Sequence, residues 1–283
     1  MRRVGCIKLY LNVSLLALLP VSSACFAAQP APAPDAAEII RRSAVVNTSD
    51  WKAQPNFSFR EDDTKSKIDS NGRVRIEQSK AFEVMMIEGT PYYRLIAIDN
   101  EPLTRAQQQQ EQQKLNAEIA RRQNESPRDR QARLTKYRNT RAEEHMLMQE
   151  MLAAFTFQLV RQERVDGTDC YVLDALPNPD YRPSFERCKV LTGMKGRLWI
   201  DNAHYHWVKV RAQVISPVEF GLFIAKVKPG TSFELDQAPV GDIWLPKCFT
   251  ETVNATVLGF YGMRTRNEEH YSSYHQTMLA AER

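Results

Sequence analysis

Gly196-Arg197-Leu198-Trp199-Ile200-Asp201-Asn202-Ala203-His204-Tyr205-His206-Trp207-Val208-Lys209-Val210-Arg211-Ala212-Gln213-Val214 is the stretch whose reading decides the fold class. Its first six residues read as a strand, Asn202-Ala203 as a turn, and His204 to Val214 as a second strand returning beside the first. Along that second strand His206, Val208, Val210, Ala212 and Val214 fall on one face, and Tyr205, Trp207, Lys209, Arg211 and Gln213 on the other. Strand side chains alternate between faces, so this aliphatic row belongs to an antiparallel sheet with one side that must be covered.

The same two-residue period extends in both directions. Downstream, Val218/Phe220/Leu222/Ile224 with Phe223/Ala225/Val227 opposite is apolar on both faces and predicts a strand covered on both. Phe233/Leu235, Ile243-Trp244-Leu245-Pro246, Phe249 to Phe260 and Arg264 to Tyr274 follow. Upstream, Phe57/Phe59, Val74/Ile76 and Phe82/Val84/Met86 lead through a Gly89-Thr90-Pro91 turn into Tyr92 to Ile98, a meander of antiparallel neighbours. Further strands are expected at Phe155/Phe157/Leu159 and Cys170/Val172, with Asp166-Gly167 turning between them. Long strands without intervening helices exclude parallel α/β winding.

Helical spacing occurs in two places. Asp35 to Val46 starts with an N-cap, carries an acid in its first turn and sets Ala36, Ile39 and Ile40 on one stripe. Arg105 to Arg141 is glutamine-rich and then basic, divided at Asn124-Glu125-Ser126-Pro127, and reads as two polar helices. Met148, Met151, Leu152 and Phe155 continue the helical spacing and can lie on the sheet, so a helical flap over a sheet is expected. The fold class is α+β: a strongly curved antiparallel β-sheet, an unclosed barrel, with an N-terminal helix and an inserted helical lid at about 103–153.

Residues 1–27 have the grammar of a removable export signal: Arg2, Arg3 and Lys8, then the apolar run from Leu11 to Leu19, then Pro20 and small residues. Residues 28–34, rich in Pro and Ala, read as an extended tether, and 35–283 as one domain. The expected location is periplasmic. Ser22-Ser23-Ala24-Cys25 also permits lipid anchoring through Cys25. The formal charge of +4 includes three leader cations, which leaves the mature chain near neutral and argues against nucleic acid. Of five cysteines, Cys170, Cys188 and Cys248 remain after the leader; Cys170–Cys188 closes the shortest loop, and three buried thiols is the other reading.

Gly196-Arg197-Leu198-Trp199-Ile200-Asp201, Trp207-Val208-Lys209-Val210 and Ile243-Trp244-Leu245-Pro246 resemble the superfamily of periplasmic lipoprotein carriers and outer-membrane lipoprotein-sorting proteins, best from about Tyr171 to Tyr274. The resemblance implies an unclosed antiparallel barrel around a hydrophobic cavity, with helices as a lid over its mouth. The polarity of Arg105 to Arg141 departs from that family.

The cavity is expected to be lined by Phe82, Val84, Met86, Leu95, Val208, Val210, Phe220, Leu222 and Ile224, with methionines such as Met148 and Met151 giving an adaptable surface for an acyl chain. His204 and His206 share a face at a spacing used by metals, yet further ligands are lacking, so no metal and no cofactor is expected. Motifs of nucleophilic, phosphate-binding or zinc chemistry do not occur, and Asp180, Glu186 and Glu234 sit among residues expected in solvent. The basic run Arg121 to Arg141 is expected either to touch anionic headgroups or to keep a helix solvated. These features point to a non-enzymatic extracytoplasmic protein holding a lipid acyl chain or lipidated peptide. The alternative is an envelope scaffold or sensor that binds another protein through the sheet edge or the flap, or lies against a membrane surface.

Overall fold

A computed structural model describes residues 34–221 and 224–277. The expected signal, most of the tether, Cys25, Leu222 and Phe223 lie outside the described residues. Helix α1 (Ala36–Ala53) begins at Asp35, whose side chain accepts from the Glu38 backbone N–H. Strands β1 (Phe57–Ile68), β2 (Val74–Ile87), β3 (Thr90–Ile98) and β4 (Glu101–Pro102) form a meander. Helices α2 (Arg105–Gln123) and α3 (Pro127–Ala154) follow. Then come β5 (Phe155–Val165), β6 (Thr168–Pro177), β7 (Met194–Asp201), β8 (Trp207–Val214), β9 (Val218–Phe220), β10 (Ala225–Val227), β11 (Ser232–Val240), β12 (Ile243–Val257) and β13 (Tyr261–Gln276).

Among the described residues the strands form one antiparallel, unclosed sheet in the order β4-β3-β2-β1-β13-β12-β11-β8-β7-β6-β5, with β9 and β10 appended to β12. Tight hairpins fix its registers. Glu88-Gly89 and Asp166-Gly167 both hold two successive positive φ angles, the geometry that matches strand twist in a two-residue turn and that glycine adopts without steric cost. The α+β class and the curved open sheet expected from the sequence are present. A 3-10 segment, Glu186–Gly193, joins β6 to β7.

The core sits where α1 and the end of α3 meet β5 to β8. Ile39 and Ile40 pack with Tyr171, Leu173, Leu198, Ile200, Trp207, Val210 and Val214. Opposite this core, the outer face carries ion pairs: Arg197 meets Asp174 at 2.6 Å, and Arg211 meets Glu234 at 2.8 Å and Asp236 at 2.9 Å. Cys170 and Cys188 are buried free thiols, Cys248 is a half-buried one, and no disulfide joins them.

Three expectations are corrected locally. The strand expected through Val218–Val227 is a short hairpin, β9 and β10, and Ile224 in its turn is 58% exposed, not covered. The second strand of the 196–214 hairpin begins at Trp207, because the Asp201 carboxylate accepts from the Ala203 and His204 backbone N–H groups and draws 202–206 into a longer turn. A bulge at Trp199/Ile200 then shifts the register, pairing Trp207 with Ile200 and Lys209 with Trp199. Trp207 therefore shares the inner face with Val210 and Val214 instead of the outer face with Lys209.

Candidate functional site

An apolar pocket of about 400 Å³ opens on the inner face where α3 crosses β8, β11 and β12. Met148 and Met151 of α3 form one wall, with Phe155, Val190, Leu191 and Met194 beside them. Trp207, Val210, Ala212, Phe233, Leu235 and Phe249 supply the sheet side. Each sheet residue reaches this space through register. Leu235 opposes Val210 and Phe233 opposes Ala212 across β11 and β8, while Phe249 and Glu251 of β12 oppose Leu235 and Phe233. Directly opposed residues of an antiparallel pair point to the same side.

The charged side chains turned toward this pocket are both acidic, Glu144 from α3 and Glu251 from β12. Glu234 borders it by its backbone, while its carboxylate pairs with Arg211 on the outer face. The acidic character continues past the pocket rim. Glu269 opposes Phe249 on one side and Asp63 on the other, and Glu61 opposes Tyr271 two residues along. Burial above all, then Glu269 and Asp63, lift the Glu61 carboxyl to about 7. Burial also raises Glu251, with the Asn267 hydrogen bond working against it. The Tyr271 hydroxyl donates to Glu269, and its own ionisation is pushed far up by burial.

Of the nine cavity residues expected from the sequence, Val210 lines the pocket. Phe82, Val84, Met86 and Leu95 share the inner face but lie beyond the Glu61–Glu269 band: Phe82 opposes both Glu61 and Leu95, and Val84 opposes Phe59. Val208 is buried at the bulge without joining the pocket, Phe220 is half-buried in β9, and Ile224 is exposed. Met148 and Met151, singled out as adaptable, are in the wall. The carboxylates Glu61, Glu251 and Glu269 were missed. Their signal was acids at inward positions of strands, visible only once register assigns the faces. His206 is occupied otherwise: its Nδ1 lies 2.7 Å from Asp50 Oδ2 and its ring stacks on Trp244.

The polar helices are bolted to the β2–β3 turn. Arg122, 7% exposed, donates to the carbonyls of Ile87 and Thr90, each at 2.8 Å, and pairs with Glu118. Arg133 donates to the Glu88 carbonyl at 2.9 Å and pairs with Glu125 at 2.7 Å. These cations of the basic run face inward, to backbone oxygens of a tight turn. The two helices do not lie together over the inner face. Arg94 of β3 donates to Gln112 of α2, whereas Met148 and Met151 of α3 lie on the pocket. Of the two helices α3 lines the pocket, together with Val190 and Leu191 of the 3-10 segment.

No protein-family model matches the chain, and no curated protein matches it. Among solved structures, the chain is similar to a domain described as an outer membrane lipoprotein-sorting protein domain from Vibrio parahaemolyticus, at 14% identity and TM-score 0.31, covering 87% of this chain and 94% of that one. It is also similar to a LolA superfamily protein from Nitrosomonas europaea, at 10% identity and TM-score 0.28, covering 87% and 96%. A third similarity is to the MucA/MucB complex of Pseudomonas aeruginosa, at 12% identity and TM-score 0.20, covering 86% and 99%. The first two carry the superfamily names that the Gly196–Asp201 hairpin suggests.

Proposed function

We propose that the chain, exported by residues 1–27 and tethered through 28–34 to the domain at 35–283, is an extracytoplasmic binding protein. It holds the acyl chain of a lipid or lipidated peptide in the pocket beneath α3. The observation that carries this reading is the pocket itself: about 400 Å³ whose walls are almost wholly Met, Phe, Val, Leu and Trp. If a methylene takes roughly the ~30 Å³ that a water occupies in the liquid, the space holds about 13 of them. Burying that many, at ~0.8 kcal/mol each, contributes on the order of 10 kcal/mol before the cost of association. Two methionines in the α3 wall suit varied chains, because an unbranched thioether repacks readily.

Glu144 and Glu251 narrow the ligand further. A fatty carboxylate or a phosphate at this mouth would meet acids with no Lys or Arg among the pocket-lining residues, whereas an amide or a cation would not. The polar end of the ligand is therefore uncharged or positive, as in an acylated peptide. Extraction of purified protein with organic solvent, followed by mass spectrometry, tests the proposal. Co-purified acylated species lost from a Met151→Trp variant support it. Repeated recovery of none, together with no uptake of an added acyl peptide, refutes it.

A further inference from the structure

The β12–β13 hairpin ends in large apolar side chains that nothing among the described residues covers. Phe260 is 83% exposed, Tyr261 63%, Leu258 62%, and Ile224 in the neighbouring β9–β10 turn 58%. A backbone hydrogen bond of 2.8 Å from the Leu258 N–H to the Ile224 carbonyl ties the two turns into one tip. Leu258 is held at φ 53°, a conformation that disfavours non-glycine residues, beside Gly259 at φ 76°. The tip also projects. Pairing of β13 with β1 stops at Thr265 opposite Lys67, and β1 ends one residue on at Ile68, so Tyr261 to Met263 run about 10 Å past the end of β1 at ~3.3 Å per residue. Behind the tip stand Lys226, level with Thr256, and Lys228 and Arg264, level with Asn254; the acids near it are Glu219, paired with Lys226 at 3.0 Å, and Glu186, which accepts from the Gly221 N–H.

We propose that this tip inserts into the interfacial layer of an anionic lipid bilayer. A narrow ribbon end offers no concave or flat surface to a folded protein, but its reach matches the roughly 5–10 Å that interfacial anchors penetrate. Tyr261 has the amphipathic ring found at headgroup level, and the cations behind it complement negative lipids. Among the described residues no helix is long and apolar enough to cross a membrane, so the contact is peripheral. The site is separate from the pocket and does not depend on what the pocket holds.

The test is co-sedimentation of the full mature chain with phosphatidylethanolamine–phosphatidylglycerol vesicles, comparing wild type with Leu258→Ser/Phe260→Ser. The expected result is at least tenfold weaker partitioning of the double variant, with circular dichroism and melting temperature unchanged. A Phe260→Trp variant is expected to shift its emission to the blue on adding vesicles. Equal partitioning of variant and wild type, or no wild-type partitioning, overturns the proposal. So does conversion of a wild-type dimer to a monomer by the double substitution without a vesicle effect, which would make the tip a contact between copies.

Discussion

Replacing Glu61 by glutamine is expected to change how stability depends on pH. The carboxyl ionises near 4.5 in the unfolded chain and near 7 in the folded protein, because burial and the neighbouring Glu269 and Asp63 resist its charge. Between those values the unfolded state has already released a proton that the folded state retains, so stability falls as pH rises. The contribution is complete below about pH 4.5 and is lost by the time the pH has passed about 7. Taken whole, the change from 4.5 to about 7 corresponds to about 3 kcal/mol. Glu61 keeps partial solvent access, so screening reduces this to roughly 1.5–2 kcal/mol. Glutamine fills the same volume and cannot ionise. Urea unfolding followed by tryptophan fluorescence at pH 4.5, 6 and 7.5 should therefore show the stability of E61Q gaining on wild type by that amount across the range. Carboxylates remote from Glu61 contribute equally to both proteins and cancel from the difference. A gap that stays constant within about 0.5 kcal/mol would mean that Glu61 is solvated and the inner-face acids are uncoupled.

Arg122→Ala should cost about 2–3 kcal/mol, since it removes the charged donor shared by the Ile87 and Thr90 carbonyls and leaves Glu118 paired with exposed Arg121 alone; thermal melting and limited proteolysis within 105–126 would register it. Arg122→Lys should recover little, because one ammonium cannot reproduce the forked contacts. Across a homologous series of N-acyl amides, affinity measured by calorimetry should rise about fourfold per methylene and level off near 13 carbons, and affinity independent of length would refute the pocket as the chain site. Asp201→Ala should lower stability by about 1–2 kcal/mol through loss of the two turn hydrogen bonds, read from the urea midpoint.

The architecture was legible because its signals are local and repeated. Alternation marked most strands, the break at Asn124 to Pro127 marked the division between α2 and α3, and Asp166-Gly167 marked a hairpin. What escaped the sequence was register. A period of two assigns faces only until a bulge inserts a residue, and the bulge at Trp199/Ile200 moved Trp207 from the outer face to the pocket. The same limit concealed Glu61, Glu251 and Glu269, which alternate as solvated residues would and turn inward only because of which strand each opposes. The inward use of Arg122 and Arg133 was equally hidden, since a cation's partner here is a backbone oxygen more than thirty residues away in sequence.

Helix α3 is clamped like a beam at both supports. One end is pinned by Arg133 at the β2–β3 corner, and the other passes without a break from Ala154 into Phe155 of the sheet. At ~1.5 Å per residue its 28 residues span about 42 Å, and a beam so held does not swing away from what lies below it. The adaptable part of the pocket wall is then the pair Met148 and Met151, whose rotamers change in picoseconds to nanoseconds where the side chain is accessible, while the helix that carries them stays put.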